Sequence, residues 1–141
     1  ADTGFHAAAR LLANASVDSG QPTWVYRFDH LSPAARDAGQ PGAAHHDDVA
    51  YLLKPLALPR WPADDPVELR MQATMLDYWT QFARSGDPNG GGQVNWPRWQ
   101  SSGDGVTQLL DVPVHGQAGV WRQRMDYHLA RYAEMLREPA P

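Results

Sequence analysis

The chain has 141 residues, 43% of them hydrophobic and 20% charged, with a formal net charge of -4. That is the balance of a globular unit and excludes a fibre or a disordered tail. Twelve Lys and Arg against sixteen Asp and Glu leave no basic stripe for a phosphate backbone, which argues against nucleic acid as a partner. No apolar run approaches the roughly 18 residues of a membrane-spanning helix. Zero cysteines remove disulfides, thiolate chemistry and Cys-type zinc sites together. No targeting segment is visible, so both a cytoplasmic and a secreted setting stay open. A start at Ala1 fits a processed piece or a clipped initiator Met equally well.

Residues 3 to about 17 are predicted to form a helix, with Asp2 or Thr3 as cap and Ala7, Ala8, Leu11, Leu12 and Ala15 at helical spacing. Asp18-Ser19-Gly20 ends it. Residues 23 to 29 give the best strand candidate, because Trp24, Val25, Tyr26 and Phe28 put large apolar groups on both faces. Such a strand belongs inside a covered sheet. Residues 31 to 44 form a loop of Ser, Pro, Gly, Asp and Ala that leads into a short helical turn over residues 45 to 53. Pro55, Pro59 and Pro62 then prevent a long helix.

The clearest element runs from Pro66 to about Arg84. Asp65 is placed as its cap, Pro66 takes the first helical position, and Glu68 is positioned to reach back as in a capping box. Leu69, Ala73, Leu76 and Phe82, with Met75 and Trp79 beside them, are expected to be the buried stripe. Gly86 closes this helix in the left-handed conformation, and residues 87 to 92 make a turn-rich loop. Trp96-Pro97-Arg98-Trp99 is expected to be an irregular connection pinned by its aromatics. Residues 107 to 112 form a second strand. Residues 121 to about 136 form a last helix with Met125, Leu129, Tyr132 and Leu136 near one face. Two strands this far apart in sequence cannot cover one that is apolar on both sides. Another piece should therefore complete the sheet, the alternative being a small free-standing α+β domain.

Imidazole is the side chain best suited to proton transfer near neutral pH, and the sequence holds six histidines. His6, His30, His115 and His128 have no acid or hydroxyl fixed nearby by sequence and are expected to be surface or capping residues. The loop Gly42-Ala43-Ala44-His45-His46-Asp47-Asp48 differs, because small residues permit close backbone approach and two histidines are followed at once by two carboxylates. Three readings stay open for it. One is a polar turn that caps a helix, with Asp47 or Asp48 bonding backbone N–H groups. Another is a metal site at His45, His46 and Asp48, against which adjacent imidazoles normally point apart. The third is a general base on a loop after a sheet strand. Asn14-Ala15-Ser16 fits a glycosylation sequon but falls within a predicted helix. No Gly-x-Ser-x-Gly elbow, Gly-rich phosphate loop or Ser/Lys pair occurs.

Four blocks in order resemble the C-terminal part of the type-B carboxylesterases, α/β-hydrolases that include bacterial para-nitrobenzyl esterases and the cholinesterases. They are Trp24-Val25-Tyr26-Arg27-Phe28-Asp29, then Gly42 through Leu53, then Met75 through Asn89, then Trp96-Pro97. The third block is similar to the family's YW-x-x-FA-x-x-GDPN signature and is the most specific. The resemblance implies an α/β fold in which residues 1–141 are one incomplete C-terminal segment of the hydrolase domain, carrying the catalytic-histidine loop at 42–48.

The resemblance further implies that His45 is the general base of a Ser-His-Glu or Ser-His-Asp triad. His46 stands where the family often has Gly, and Asp48 where it usually has Glu, a position that supports the loop and is not the triad acid. Serine nucleophile, oxyanion loop and triad carboxylate are missing from these residues and should come from an N-terminal portion, the expected partner. The implied activity is hydrolysis of carboxylic esters with no metal or organic cofactor, and this segment alone should be inactive. An esterase-like interaction protein without a triad is one alternative from another class, and a small free-standing domain that binds a metal at His45, His46 and Asp48 is a further one.

Overall fold

A computed structural model describes residues 5–53, 65–102, 105–135 and 137. It contains, in chain order, α1 (Ala7–Asp18), β1 (Tyr26–Phe28), α2 (Pro33–Asp37), α3 (Asp47–Leu52), α4 (Pro66–Ser85), β2 (Val106–Leu110), β3 (His115–Ala118) and α5 (Arg122–Met135). The three strands form one sheet in the order β1-β2-β3. β1 and β2 run parallel, pairing Tyr26 with Gln108, Arg27 with Leu109 and Phe28 with Leu110.

The sheet corrects two expectations. The strand enclosed on both faces is β2, where Thr107, Gln108, Leu109 and Leu110 are all buried, and not β1, which is shorter than expected and partly exposed. A middle strand loses solvent on both edges as well as both faces, so the burial follows position in the sheet. The short strand β3 lies where the sequence predicts no strand; its four residues are exposed, and such a strand carries no alternating signal.

The chain divides into two compact units. The first comprises Ala1–Val25, Pro97–Thr107 and Gln117–Pro141. In it α1 packs on α5. The stripe expected on α1 is buried only at Ala7: Ala13, off that stripe, is covered as well, while Leu11, Leu12 and Ala15 are exposed. Arg10 bonds Asp126 at 3.1 Å, which fixes α1 by a polar contact that apolar periodicity does not report. The Asp2 or Thr3 cap lies outside the described residues. Met125 of α5 is buried as expected, with Leu129 and Tyr132 partly covered on the same side. The buried Trp99 ring sends its N–H to Asn14 Oδ1 at 2.8 Å, so the connection is pinned as its aromatics suggest. That bond also occupies the sequon's asparagine. Gly105 permits the approach, since a Cβ there would stand 2.6 Å from the Trp99 ring.

The second unit comprises Tyr26–Trp96 and Gln108–Gly116. Its long helix α4 begins as its sequence dictates: Asp65 Oδ1 accepts from the backbone N–H groups of Val67 and Glu68, and Pro66 occupies the first turn. It ends on Gly86 with φ 73°, a left-handed conformation that costs glycine little. The rotation of α4 about its axis differs from expectation. Met71, Met75 and Tyr78 face inward with Glu68, while Leu69, Leu76 and Phe82 are exposed by 38 to 48%. Polar anchors on the inner face set this rotation. The Tyr78 hydroxyl donates to Val94 O and accepts from Gln108 Nε2, and Glu68 is bonded inside the unit. Leu69, Ala73 and Leu76 therefore make a second, outward stripe at positions i, i+4 and i+7.

Trp96 is buried in the same unit, its backbone N–H bonded to Asn89 Oδ1, whose amide also holds the Trp96 carbonyl. Asp87 in turn accepts from Asn89, so the Gly-Asp-Pro-Asn turn is an internally bonded plug. The prolines at 55, 59 and 62 lie outside the described residues.

Candidate functional site

β1 and β2 are parallel, so their C-terminal ends open on one side, which is where open α/β sheets carry ligands. The residues that follow β1 build that end. Asp29 and His30 send their backbone N–H groups to Leu110 O, extending the pairing past the strand. The chain then enters α2, a helix where a plain loop was expected. Its signal was present in the sequence: Ser32 accepts from Ala35 N at 3.2 Å as N-cap, and Pro33 sits at the first helical position.

The loop at residues 42 to 46 returns to α3, and three local contacts shape it. Asp47 Oδ2 accepts from Ala44 N at 2.7 Å, which makes the turn expected of one of the two carboxylates. Asp48 Oδ2 accepts from the Tyr26 hydroxyl at 2.9 Å, tying the start of α3 to β1. Burial first, and the carboxylate second, push the Tyr26 phenol well above its ordinary range, so this hydroxyl keeps its proton and donates. His46 adopts φ 76°, left-handed backbone that an L residue with a Cβ enters at a cost. This is the position where the resemblance expects glycine.

His45 and His46 are both exposed, with ring centroids 3.6 Å apart and planes tilted by 43°. They stand at the edge of a cavity of about 600 Å³ whose lining also includes His30, Ser32, Gln40 and Tyr51. A general base must reach the proton that it removes, and His45 sits on such an accessible wall. Of the residues singled out from sequence, the fold thus brings His45 and His46 together, while Asp48 turns to Tyr26. Among the described residues, no group of three or more His, Cys, Asp or Glu is arranged to hold a metal ion, and no helix is long and apolar enough to cross a membrane.

The largest departure from the sequence reading concerns His30, which is neither a surface nor a capping residue but is 2% exposed. Its Nε2 lies 2.9 Å from Glu68 Oε1, and since a carboxylate only accepts, Nε2 is the donor. Glu68 is 1% exposed and also accepts from the Tyr51 hydroxyl, Oη to Oε2, at 2.5 Å. It therefore does not reach back over the helix start, and no capping box forms. On its other side, His30 Nδ1 lies 3.4 Å from Asp111 Oδ1, just past β2, without hydrogen-bond geometry.

Burial, then the bond to Glu68, raises the Tyr51 phenol far above its usual value and keeps it a donor. The sequence held a sign of this cluster. Glu68, Met71, Met75 and Tyr78 are in phase on one helical face, and a carboxylate in phase with buried residues must find buried partners.

The chain is similar to known proteins in sequence and in fold. The Carboxylesterase family matches residues 1–128. The chain is 33% identical over 101 residues to the medium-chain fatty acyl-CoA hydrolase precursor of Anas platyrhynchos, covering 70% of the chain and 18% of that protein. Its fold is similar to the crystal structure of the carboxylesterase of Geobacillus stearothermophilus, with a TM-score of 0.63 at 22% identity over 79% of this chain and 23% of that one. It is also similar to juvenile hormone esterase from Manduca sexta, with a TM-score of 0.71 at 21% identity over 94% of this chain and 27% of that one. The chain thus spans about a fifth to a quarter of the length of these relatives, and carries a corresponding part of the α/β-hydrolase fold. On the match over residues 1–128, the chain belongs to the carboxylesterase family.

Proposed function

We propose that this chain is the C-terminal segment, residues 1–141, of a serine-dependent carboxylic ester hydrolase, of the bacterial kind represented by the Geobacillus relative, and that His45 is its general base. The carrying observation is the exposed His45 on a small-residue loop, beside a cavity at the C-terminal end of parallel strands. His45 takes the proton of a serine hydroxyl as that oxygen attacks the ester carbonyl, and returns it to the departing alcohol. A water molecule then repeats the cycle on the acyl-enzyme. The N-terminal portion of the same polypeptide is the partner that supplies the serine, the triad acid and the N–H groups that stabilise the oxyanion. No metal or organic cofactor takes part in this scheme. Two features support such a partner: β1 has a neighbour on one edge only among the described residues, and Leu69, Ala73 and Leu76 form an outward apolar stripe on α4.

His46 and Asp48 support the base. Asp48 holds the start of α3 through Tyr26, and the His46 ring packs against His45. The segment by itself is inactive in this reading. In the complete polypeptide, hydrolysis of a nitrophenyl carboxylate falls on the order of a thousandfold or more in His45→Ala and far less in His46→Ala. Equal losses, or a loss confined to His46→Ala, would contradict the assignment.

A further inference from the structure

Glu68 presents a physical problem. Burying a carboxylate is costly, and an apolar residue at this point of α4 would continue the stripe of Met71, Met75 and Tyr78 without that cost. The compensation is directional. Both Glu68 oxygens are used, one on His30 Nε2 and the other on the Tyr51 hydroxyl, and the two partners come from different elements. His30 follows β1, and Tyr51 belongs to α3, the helix that begins two residues after His45.

Apolar packing holds elements together while letting them slide. Bonds to fixed lone pairs set their distance and orientation. The aromatic contacts repeat the arrangement: His30 meets Tyr51 edge to face at 5.7 Å, and Phe28 of β1 meets Tyr51 at 5.2 Å. The Tyr51 carbonyl also accepts from Gln72 of α4 at 3.2 Å. His30 and Tyr51 line the same cavity as His45 and His46.

We infer that the buried His30–Glu68–Tyr51 cluster is a positioning device for the catalytic loop, three residues that fix α3 against β1 and α4 and so hold the His45 imidazole in register with the reacting atoms. The inference rests on the reading of His45 as the general base. None of the three touches substrate in this scheme. They act through the placement of α3, and a displacement of about an ångström at a base is enough to cost one to two orders of magnitude in rate.

The test replaces the cluster whole. In the complete polypeptide, His30→Leu/Tyr51→Phe/Glu68→Met exchanges a polar network for apolar side chains, an exchange that proteins often accept without loss of stability. The expected result is a folded enzyme whose kcat falls about tenfold or more while KM stays within about twofold of the parent. A merely structural cluster would return kcat to within twofold of the parent once the apolar set folds, and that result overturns the inference.

If the triple variant does not fold, Tyr51→Phe alone carries the same readout, because it removes one hydroxyl and keeps the ring. A kcat unchanged in Tyr51→Phe overturns the inference, and a kcat lowered about tenfold with KM held supports it. His45→Ala is measured beside them. Activity surviving in His45→Ala refutes the reading of the base, whereas its loss together with an unaltered Tyr51→Phe refutes the positioning role alone.

Discussion

Two histidines fifteen residues apart in sequence show how differently the same side chain is used in one compact unit. His45 is exposed on a loop of small residues, beside a second imidazole and backbone in the left-handed region. His30 is sealed under the same cavity, with one ring nitrogen on Glu68 and the other facing Asp111. The first arrangement leaves a ring able to meet an incoming hydroxyl. The second commits the ring to holding elements in place. Burial and partners, more than residue type, assign the roles.

The widest separation between the two should appear in turnover. His45→Ala is expected to lose on the order of a thousandfold or more, since in the proposed scheme it deletes the proton acceptor, while disruption at His30, Glu68 or Tyr51 is expected to act through geometry alone. Stability should rank them the other way round. Glu68→Ala removes the shared acceptor and strands two buried groups. It should cost roughly 3 kcal/mol in denaturant unfolding of the complete protein, whereas His45→Ala, at an exposed position, should change stability by less than about 0.5 kcal/mol. Comparable unfolding midpoints for the two variants would remove the distinction.

Alkaline titration sharpens the same contrast. The Tyr51 phenol ionises near 10.0 when unfolded and higher when folded. Its contribution is therefore fully present below about pH 10 and is lost as the pH rises past that value, because the unfolded state releases its proton first. Tyr51→Phe should flatten the fall in unfolding midpoint above about pH 10. Tyr26, raised for a similar reason, leaves part of the slope in place. A slope identical to that of the parent would show that the hydroxyl is not held as described.

A further effect lies in the exposed loop and has the opposite sign. His46→Gly relieves a left-handed backbone and should raise stability by about 1 kcal/mol, with a correspondingly higher melting temperature. A lower melting temperature would mean that the imidazole pair contributes more than the backbone strain costs.

Much of this architecture was legible in the residues, and the gaps have physical causes. Capping and closing residues marked α4 at both ends, because those signals are local. Its buried face was not legible, since the helix is apolar on two sides and the rotation is set by Tyr78 and Glu68 meeting partners far away in sequence. The Ser32-Pro33 start of α2 is a local signal too, but it lies in a stretch of Ser, Pro, Gly and Asp whose composition is that of a loop. His45 was reached through resemblance, because spacing alone left a polar turn, a metal site and a general base in competition. The role of His30 could not be read locally at all: Glu68 is 38 residues away and Asp111 farther still. A long-range polar cluster leaves one trace in sequence, a carboxylate in phase with apolar neighbours.

The decisive measurement is kcat for His45→Ala and Tyr51→Phe, made side by side in the complete polypeptide on one carboxylic ester, with melting temperatures taken on the same samples. Losses of about a thousandfold and about tenfold, respectively, with KM near the parent value in the Tyr51→Phe variant, would establish the exposed imidazole as the base and the buried cluster as its support. Equal losses in the two variants, or a larger one in Tyr51→Phe, would contradict that division.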